Sequence, residues 1–165
     1  MKTLYLIRHA KSSWESSDTN DFDRPLNERG KKNAPEMAKR LVLRKLEIGQ
    51  FISSPAKRAR TTAALFIKEF GRKENEILLV PELYEASAPA FGKVVSQIDA
   101  SINSAAIFAH NPGISDFANS LTDVRVDNIP TCGIFAVNAI VDDWQQFMNT
   151  KRTFLFFDYP KLAGA

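Results

Sequence analysis

An uninterrupted run of β-forming apolar residues, Thr3-Leu4-Tyr5-Leu6-Ile7, stops at a cation and an imidazole, Arg8-His9. No polar residue alternates with the apolar ones, so the segment over residues 3–7 reads as a strand buried on both faces, as in a sheet covered by helices. In an α/β sheet the carboxyl end of such a strand opens onto the crevice where ligands sit, and Arg8 and His9 fall there. Arginine offers a rigid fork of donors matched to phosphate oxygens, and neutral imidazole is a competent nucleophile.

The rest of the chain repeats the alternation. Strands are expected at 50–53, 77–80, 105–109, 133–141 and 153–158. Asn27 caps a helix whose inner face carries Ala34, Ala38, Leu41 and Val42. Pro35 requires either a kink in that helix or a restart with Asn33 as cap and Glu36 three places on. A second helix over roughly 57–70 buries Ala59, Thr62, Ala63, Phe66, Ile67 and Phe70 and stops at Gly71. Phe91, Val94, Val95 and Ile98 mark a third, and Ile114, Phe117, Ala118 and Leu121 a fourth. Residues 81–90 read as a loop and 142–150 as a turn. Strands alternating with helices indicate one α/β sandwich domain spanning residues 1–165.

Composition bounds the function. With 44% hydrophobic residues in 165, a sizeable core is available. The net charge is +3 and the charges are interspersed, without the dense basic block of a nucleic-acid arm; such a surface favours an anionic substrate. The single Cys132 excludes an internal disulfide and, with only two histidines, leaves no plausible zinc set. The run before Arg8 is too short for a signal-peptide core, and no apolar stretch approaches the roughly 20 residues of a membrane span. A soluble cytoplasmic chain is expected, with no metal, no cofactor, and neither nucleic acid nor membrane as partner; nothing specifies an oligomeric state.

Residues 10–26 form a polar loop longer than the usual connection. Its acids Glu15, Asp18, Asp21 and Asp23 do not follow the EF-hand order, so the loop reads as a solvated lid.

Three strand ends share one property. Arg8-His9 follows the first strand, Ser54 to Arg58 the second, and His110 the fourth. Parallel neighbours would bring Arg8, His9, Arg58 and His110 to one crevice; the bland alternative makes each histidine a partly buried, hydrogen-bonded structural residue. Two guanidiniums and two imidazoles around one point suit a phosphoryl group, whose transfer depends on an in-line nucleophile and neutralised equatorial oxygens. One imidazole would attack while the other, protonated, binds an oxygen.

These residues resemble a known family. Leu6-Ile7-Arg8-His9 is similar to the signature of the histidine phosphatase superfamily, which includes the phosphoglycerate mutases. Ser54-Pro55-Ala56-Lys57-Arg58-Ala59-Arg60-Thr61-Thr62-Ala63 resembles its second motif and Ala109-His110-Asn111-Pro112-Gly113 its third, in the form used by SixA-type phosphohistidine phosphatases. Asp23-Arg24-Pro25-Leu26 through Arg29-Gly30 also resembles that branch. The resemblance implies a phosphoglycerate mutase-like fold: a three-layer α/β sandwich with a mostly parallel central sheet and helices on both faces. It implies a metal-independent phosphatase with His9 as the nucleophile and Arg8, Arg58 and His110 as the phosphate pocket, and it hints that Arg24 helps close that pocket; the alternative pairs Arg24 with the loop carboxylates. Larger members draw a general acid from the region of 81–90, making Glu85, then Glu82, the candidates; the alternative makes both exposed surface carboxylates, since the SixA branch is short here and need not supply an acid. The expected substrate is phosphohistidine in a protein partner. The alternatives are a small-molecule phosphomonoesterase with Glu85 as acid, or a phospho-ligand binding module without turnover. Lys57 and Arg60 would widen the anion site or lie on a solvated helix face, Trp14 would contact substrate or fold back on the core, Thr131 would line the pocket, and Cys132 reads as a small buried residue.

Overall fold

The computed structural model describes residues 1–14 and 20–162; Glu15 and Asp18 of the acidic loop lie outside the described residues. The elements in chain order are β1 (Lys2–Arg8), α1 (Glu28–Leu43), β2 (Gln50–Ser53), α2 (Lys57–Glu69), β3 (Leu78–Leu79), α3 (Ala88–Ser96), β4 (Ser104–Ala109), α4 (Gly113–Leu121), β5 (Ile134–Ala139) and β6 (Arg152–Asp158). The six strands form one sheet in the order β3-β2-β4-β1-β5-β6. The first four run parallel, and β5 and β6 are antiparallel to their neighbours.

The buried β1 strand organises both layers, because successive side chains of a strand point to opposite faces. Leu4 and Leu6 pack with Phe91, Val94 and Val95 of α3 and Ile114, Phe117 and Leu121 of α4. Tyr5 and Ile7 pack on the other side with Ala34, Met37, Ala38 and Leu41 of α1 and Ala63, Phe66 and Ile67 of α2. All of these side chains are almost completely removed from water, and burying each large one stabilises the fold by roughly 1.5–3 kcal/mol. The expected α/β architecture with helices on both faces is therefore the observed one.

Local departures have physical causes. Asn27 caps α1 as expected, its side chain accepting from the Gly30 N–H at 2.9 Å. The helix then continues through Pro35, leaving Asn33 inside it rather than at a cap. Its buried stripe is Ala34, Met37, Ala38 and Leu41; Val42, expected inside, lies on the flank and is 39% exposed. The strand expected over 77–80 shrinks to Leu78–Leu79, an edge strand paired only with β2 and half open to solvent. The 142–150 turn holds a short 3-10 helix, Trp144–Asn149, that buries Trp144 and Phe147. Residues 81–90 contain another, Pro81–Leu83, before α3 begins. Gly71, just past α2, takes the left-handed conformation (φ +73°) that a terminating glycine supplies.

For the site, one consequence matters most. β1 and β2 both flank β4 in parallel, in registers such as Arg8 opposite Ala109 and Ser53 opposite Phe108. Their carboxyl ends therefore open on one edge of the sheet.

Candidate active site

Arg8 is the last residue of β1, and His9 leaves the strand while still tied to it, its N–H donating to the Ala109 carbonyl at 3.1 Å. The turn at Cys132 clamps the same backbone from the other side. Its N–H lies 3.0 Å from the carbonyl oxygens of both Arg8 and His9, at a left-handed φ of +63°. Cys132 contributes this backbone contact, and burial pushes its thiol pKa up.

The His9 ring has a defined orientation. Its Nδ1 is 2.8 Å from the Ala10 carbonyl oxygen. A carbonyl can only accept, so Nδ1 carries the hydrogen and Nε2 presents a lone pair. Burial pushes the pKa down to about 3, with His110, Arg58 and Arg8 adding to the fall and the Ala10 bond opposing it. The imidazole is neutral at any ordinary pH. Thr62 supports this arrangement from α2: its hydroxyl accepts from the Ala10 N–H at 2.9 Å and donates to the Arg58 carbonyl at 2.7 Å.

His110 faces His9, the ring centroids 5.2 Å apart. Its Nε2 lies 2.7 Å from Ser54 Oγ, which also accepts from the Ala56 N–H at 3.2 Å. Among the described residues the Ser54 hydroxyl has no other acceptor, so it donates to Nε2 and the ring hydrogen sits on Nδ1. Burial first, then the charge of Arg58, depresses the His110 pKa to about 4. In the ligand-free site burial and these guanidiniums disfavour a further cation, so His110 rests as a neutral imidazole; the expected protonated form belongs to the phosphoryl-bound state.

Three arginines converge here, not two. Arg8 anchors one terminal nitrogen on the Ile129 carbonyl at 3.0 Å. Arg58 donates to the Asp21 carbonyl at 2.7 Å and to the Asp21 carboxylate at 3.1 Å. Arg24 is buried, reaching Ser12 Oγ at 2.5 Å and Asp21 Oδ1 at 3.3 Å, with its guanidinium stacked 3.5 Å over the Trp14 ring. The buried side-chain nitrogens without a hydrogen-bond partner among the described residues are Arg8 Nε, Arg24 Nε, Arg58 Nε and His110 Nδ1. All four residues line one cavity of about 480 Å³, together with His9. An unpaired buried donor is costly, so four on one cavity mark a site built for an acceptor-rich ligand.

Glu85 also lines this cavity, exposed and with a left-handed φ of +55°. Thr131 and Trp14 border it as well, whereas Glu82, Lys57 and Arg60 do not. Asp21 was expected only as a loop carboxylate with which Arg24 could pair, and Tyr84 carried no expected role; the Arg24–Asp21 pair is observed. Asp21 ties Arg58 to Arg24 and accepts from the Tyr84 hydroxyl at 2.6 Å. The Tyr84 bond is the chief cause of its lowered pKa, and the same bond pushes Tyr84 up to about 12.

A model of the histidine phosphatase superfamily (branch 1) matches residues 4–125. The chain belongs to that superfamily. This histidine phosphatase is 26% identical over 153 residues to an uncharacterized chloroplastic protein of Arabidopsis thaliana, a match covering 88% of this chain and 70% of the plant protein. Its fold is shared with a SixA protein of Agrobacterium tumefaciens (TM-score 0.81, 23% identity, 96% of this chain and 98% of the other). It is shared equally with the protein histidine phosphatase SixA solved with tungstate (TM-score 0.81, 20% identity, 96% and 97%). A mycobacterial glucosyl-3-phosphoglycerate phosphatase has the same fold at TM-score 0.71 and 15% identity, covering 93% and 97%. Family membership sets the reaction class of the chain as a phosphatase.

Proposed function

We propose that this phosphatase works without a metal through a covalent phosphoryl intermediate on His9, and that its substrate is a phosphohistidine carried by a protein partner. The observation that carries the reading is the set of four unpartnered buried nitrogens on residues that line one cavity with His9. Arg8, Arg24, Arg58 and His110 would hold the equatorial oxygens, the task on which phosphoryl transfer chiefly depends. His9 Nε2 attacks phosphorus, the substrate P–N bond breaks, and the substrate's ring leaves. Water then attacks the His9 phosphoryl group, releasing inorganic phosphate and restoring neutral His9. The Ala10 carbonyl keeps a hydrogen on Nδ1 throughout, so the second step expels a neutral imidazole without a proton donor.

The preference for P–N over P–O rests on protonation. Asp21, tied to Tyr84 and two arginines, is held ionised and is no acid at neutral pH. An alkoxide leaving group needs a proton; a substrate imidazole already protonated on its other nitrogen does not. The second reading, a phosphomonoesterase, is favoured by one observation, that Glu85 borders the cavity and could serve as the acid. The test compares a phosphohistidine peptide with an unactivated alkyl phosphate in wild type and Glu85→Gln. The proposed function expects the peptide to be strongly preferred and its hydrolysis to survive Glu85→Gln. Equal rates on both substrates, with loss of both in the variant, would establish the phosphomonoesterase instead.

A further inference from the structure

Beside the phosphate cavity lies a second groove, of about 240 Å³, that shares Lys11 and Thr131 with it. Its charged lining residues are Lys11, Arg29 and Lys161, all exposed; no carboxylate among the described residues lines it. Among the described residues none of the three cations is in an ion pair.

The walls are built rather than incidental. Lys11 is held against the start of α1, its carbonyl accepting from the Asn27 N–H at 3.0 Å. A Cβ at Gly30 would sit 2.2 Å from that same carbonyl, so the close approach requires glycine. This brings Lys11 and Arg29 to one side. The opposite wall, residues 159–161, is anchored by Arg40, which pairs with Asp158 at 2.9 Å and donates to the Tyr159 and Pro160 carbonyls at 3.0 and 3.1 Å. Three exposed cations, carried on backbone held in place, thus line a groove that adjoins the phosphate cavity through Lys11 and Thr131.

We propose that this groove docks an acidic stretch of polypeptide flanking the phosphorylated residue, so that the enzyme selects its protein partner by carboxylates beside the phosphohistidine. The inference rests on the function proposed above. Surface charges of this kind act on encounter and specificity more than on the chemical step, and they are screened by salt.

The test uses two synthetic phosphohistidine peptides, one with aspartates beside the modified residue and one with serines in their place. The double variant Arg29→Glu/Lys161→Glu reverses two groove charges. It is expected to fold normally, because an acidic residue in the first turn of α1 complements the helix dipole. Wild type should turn over the acidic peptide with a kcat/KM higher by roughly tenfold at low salt, with the advantage shrinking as ionic strength rises. In the double variant that advantage disappears while the serine peptide is cleaved as before. Equal kcat/KM for the two peptides in wild type, or an equal loss on both in the variant, overturns the docking role. If wild type cleaves neither peptide, the proposed substrate is wrong. The groove is then judged by fluorescence anisotropy of the labelled, unphosphorylated aspartate and serine peptides. Preferential binding of the aspartate peptide that the double variant loses sustains the groove, and indifference between the two overturns it.

Discussion

The rings of His9 and His110 stand 5.2 Å apart and inclined by 50°, one delivered by the end of β1 and the other by the end of β4. They are the only histidines in the chain, and both are buried beside guanidiniums that disfavour a further positive charge. The site therefore keeps one free nucleophilic lone pair and one neutral donor across a space framed by Arg8, Arg24 and Arg58.

The first expectation concerns titration. With pKa values near 3 and 4, neither imidazole should take up a proton between pH 5 and 8. Histidine NMR signals of the ligand-free protein are therefore expected to stay in the neutral form across that range. A ring titrating near 6.5 would mean that burial and charge do not act as described.

The same shifts set a stability slope. Unfolded histidines bind protons near pH 6.5, whereas these two do not until about 4 and 3 in the folded state. Below about pH 6.5 the unfolded chain gains protons the native one refuses, so this contribution to stability falls from there toward pH 4. Denaturant midpoints measured over pH 4–7 should show a shallower decline for His9→Asn and His110→Asn than for wild type.

Arg58→Ala removes a guanidinium from the oxyanion side, and loss of such a donor typically lowers kcat by about 100- to 1000-fold. Arg24→Ala should also be slowed, since its Nε is one of the four unpartnered nitrogens. Steady-state kinetics on a phosphohistidine peptide measures both. An Arg24→Ala enzyme indistinguishable from wild type would demote that residue to packing on Trp14.

Asp21 positions two of the three arginines and holds the Tyr84 proton. Asp21→Asn should weaken phosphate binding, raising KM more than it lowers kcat. The Tyr84 phenol should fall from about 12 toward its ordinary value near 10, read as the phenolate difference spectrum against Tyr84→Phe. An unmoved spectrum would show that the bond to Asp21 does not govern Tyr84.

Gly113 opens α4 with a clearance no side chain shares: a Cβ there would lie 1.9 Å from the Ala86 carbonyl oxygen. Gly113→Ala must push away the segment that carries Tyr84 and Glu85. We expect destabilisation of about 1–3 kcal/mol, as for overpacking elsewhere, together with reduced activity, measured by thermal unfolding and kinetics.

What could be read in advance follows a physical divide. Arg8, His9 and His110 were legible because each sits at or just past the end of an apolar strand, and Arg58 because the motif that follows β2 carries it into the first turn of α2. The two-sided burial of Leu4–Ile7 likewise announced a covered sheet. Asp21 and Tyr84 were not legible, since their pairing joins residues 63 positions apart and depends on how one loop settles on another. Arg24 was only hinted at by its motif, because its burial arises from the Trp14 ring and Ser12. The neutral state of His110 also lay beyond the sequence: protonation is set by the burial and charges that folding assembles. Val42 was misplaced for a smaller reason, the helix stripe closing on Met37 instead.

The central claim is a covalent bond to His9 Nε2. Rapid quenching of wild type with excess phosphohistidine peptide or phosphoramidate, followed by mass spectrometry under alkaline conditions, tests it directly. The account predicts one phosphoryl group on His9, formed and lost at rates compatible with turnover and absent from His9→Ala. Turnover without any phosphorylated His9, or undiminished activity in His9→Ala, would contradict it.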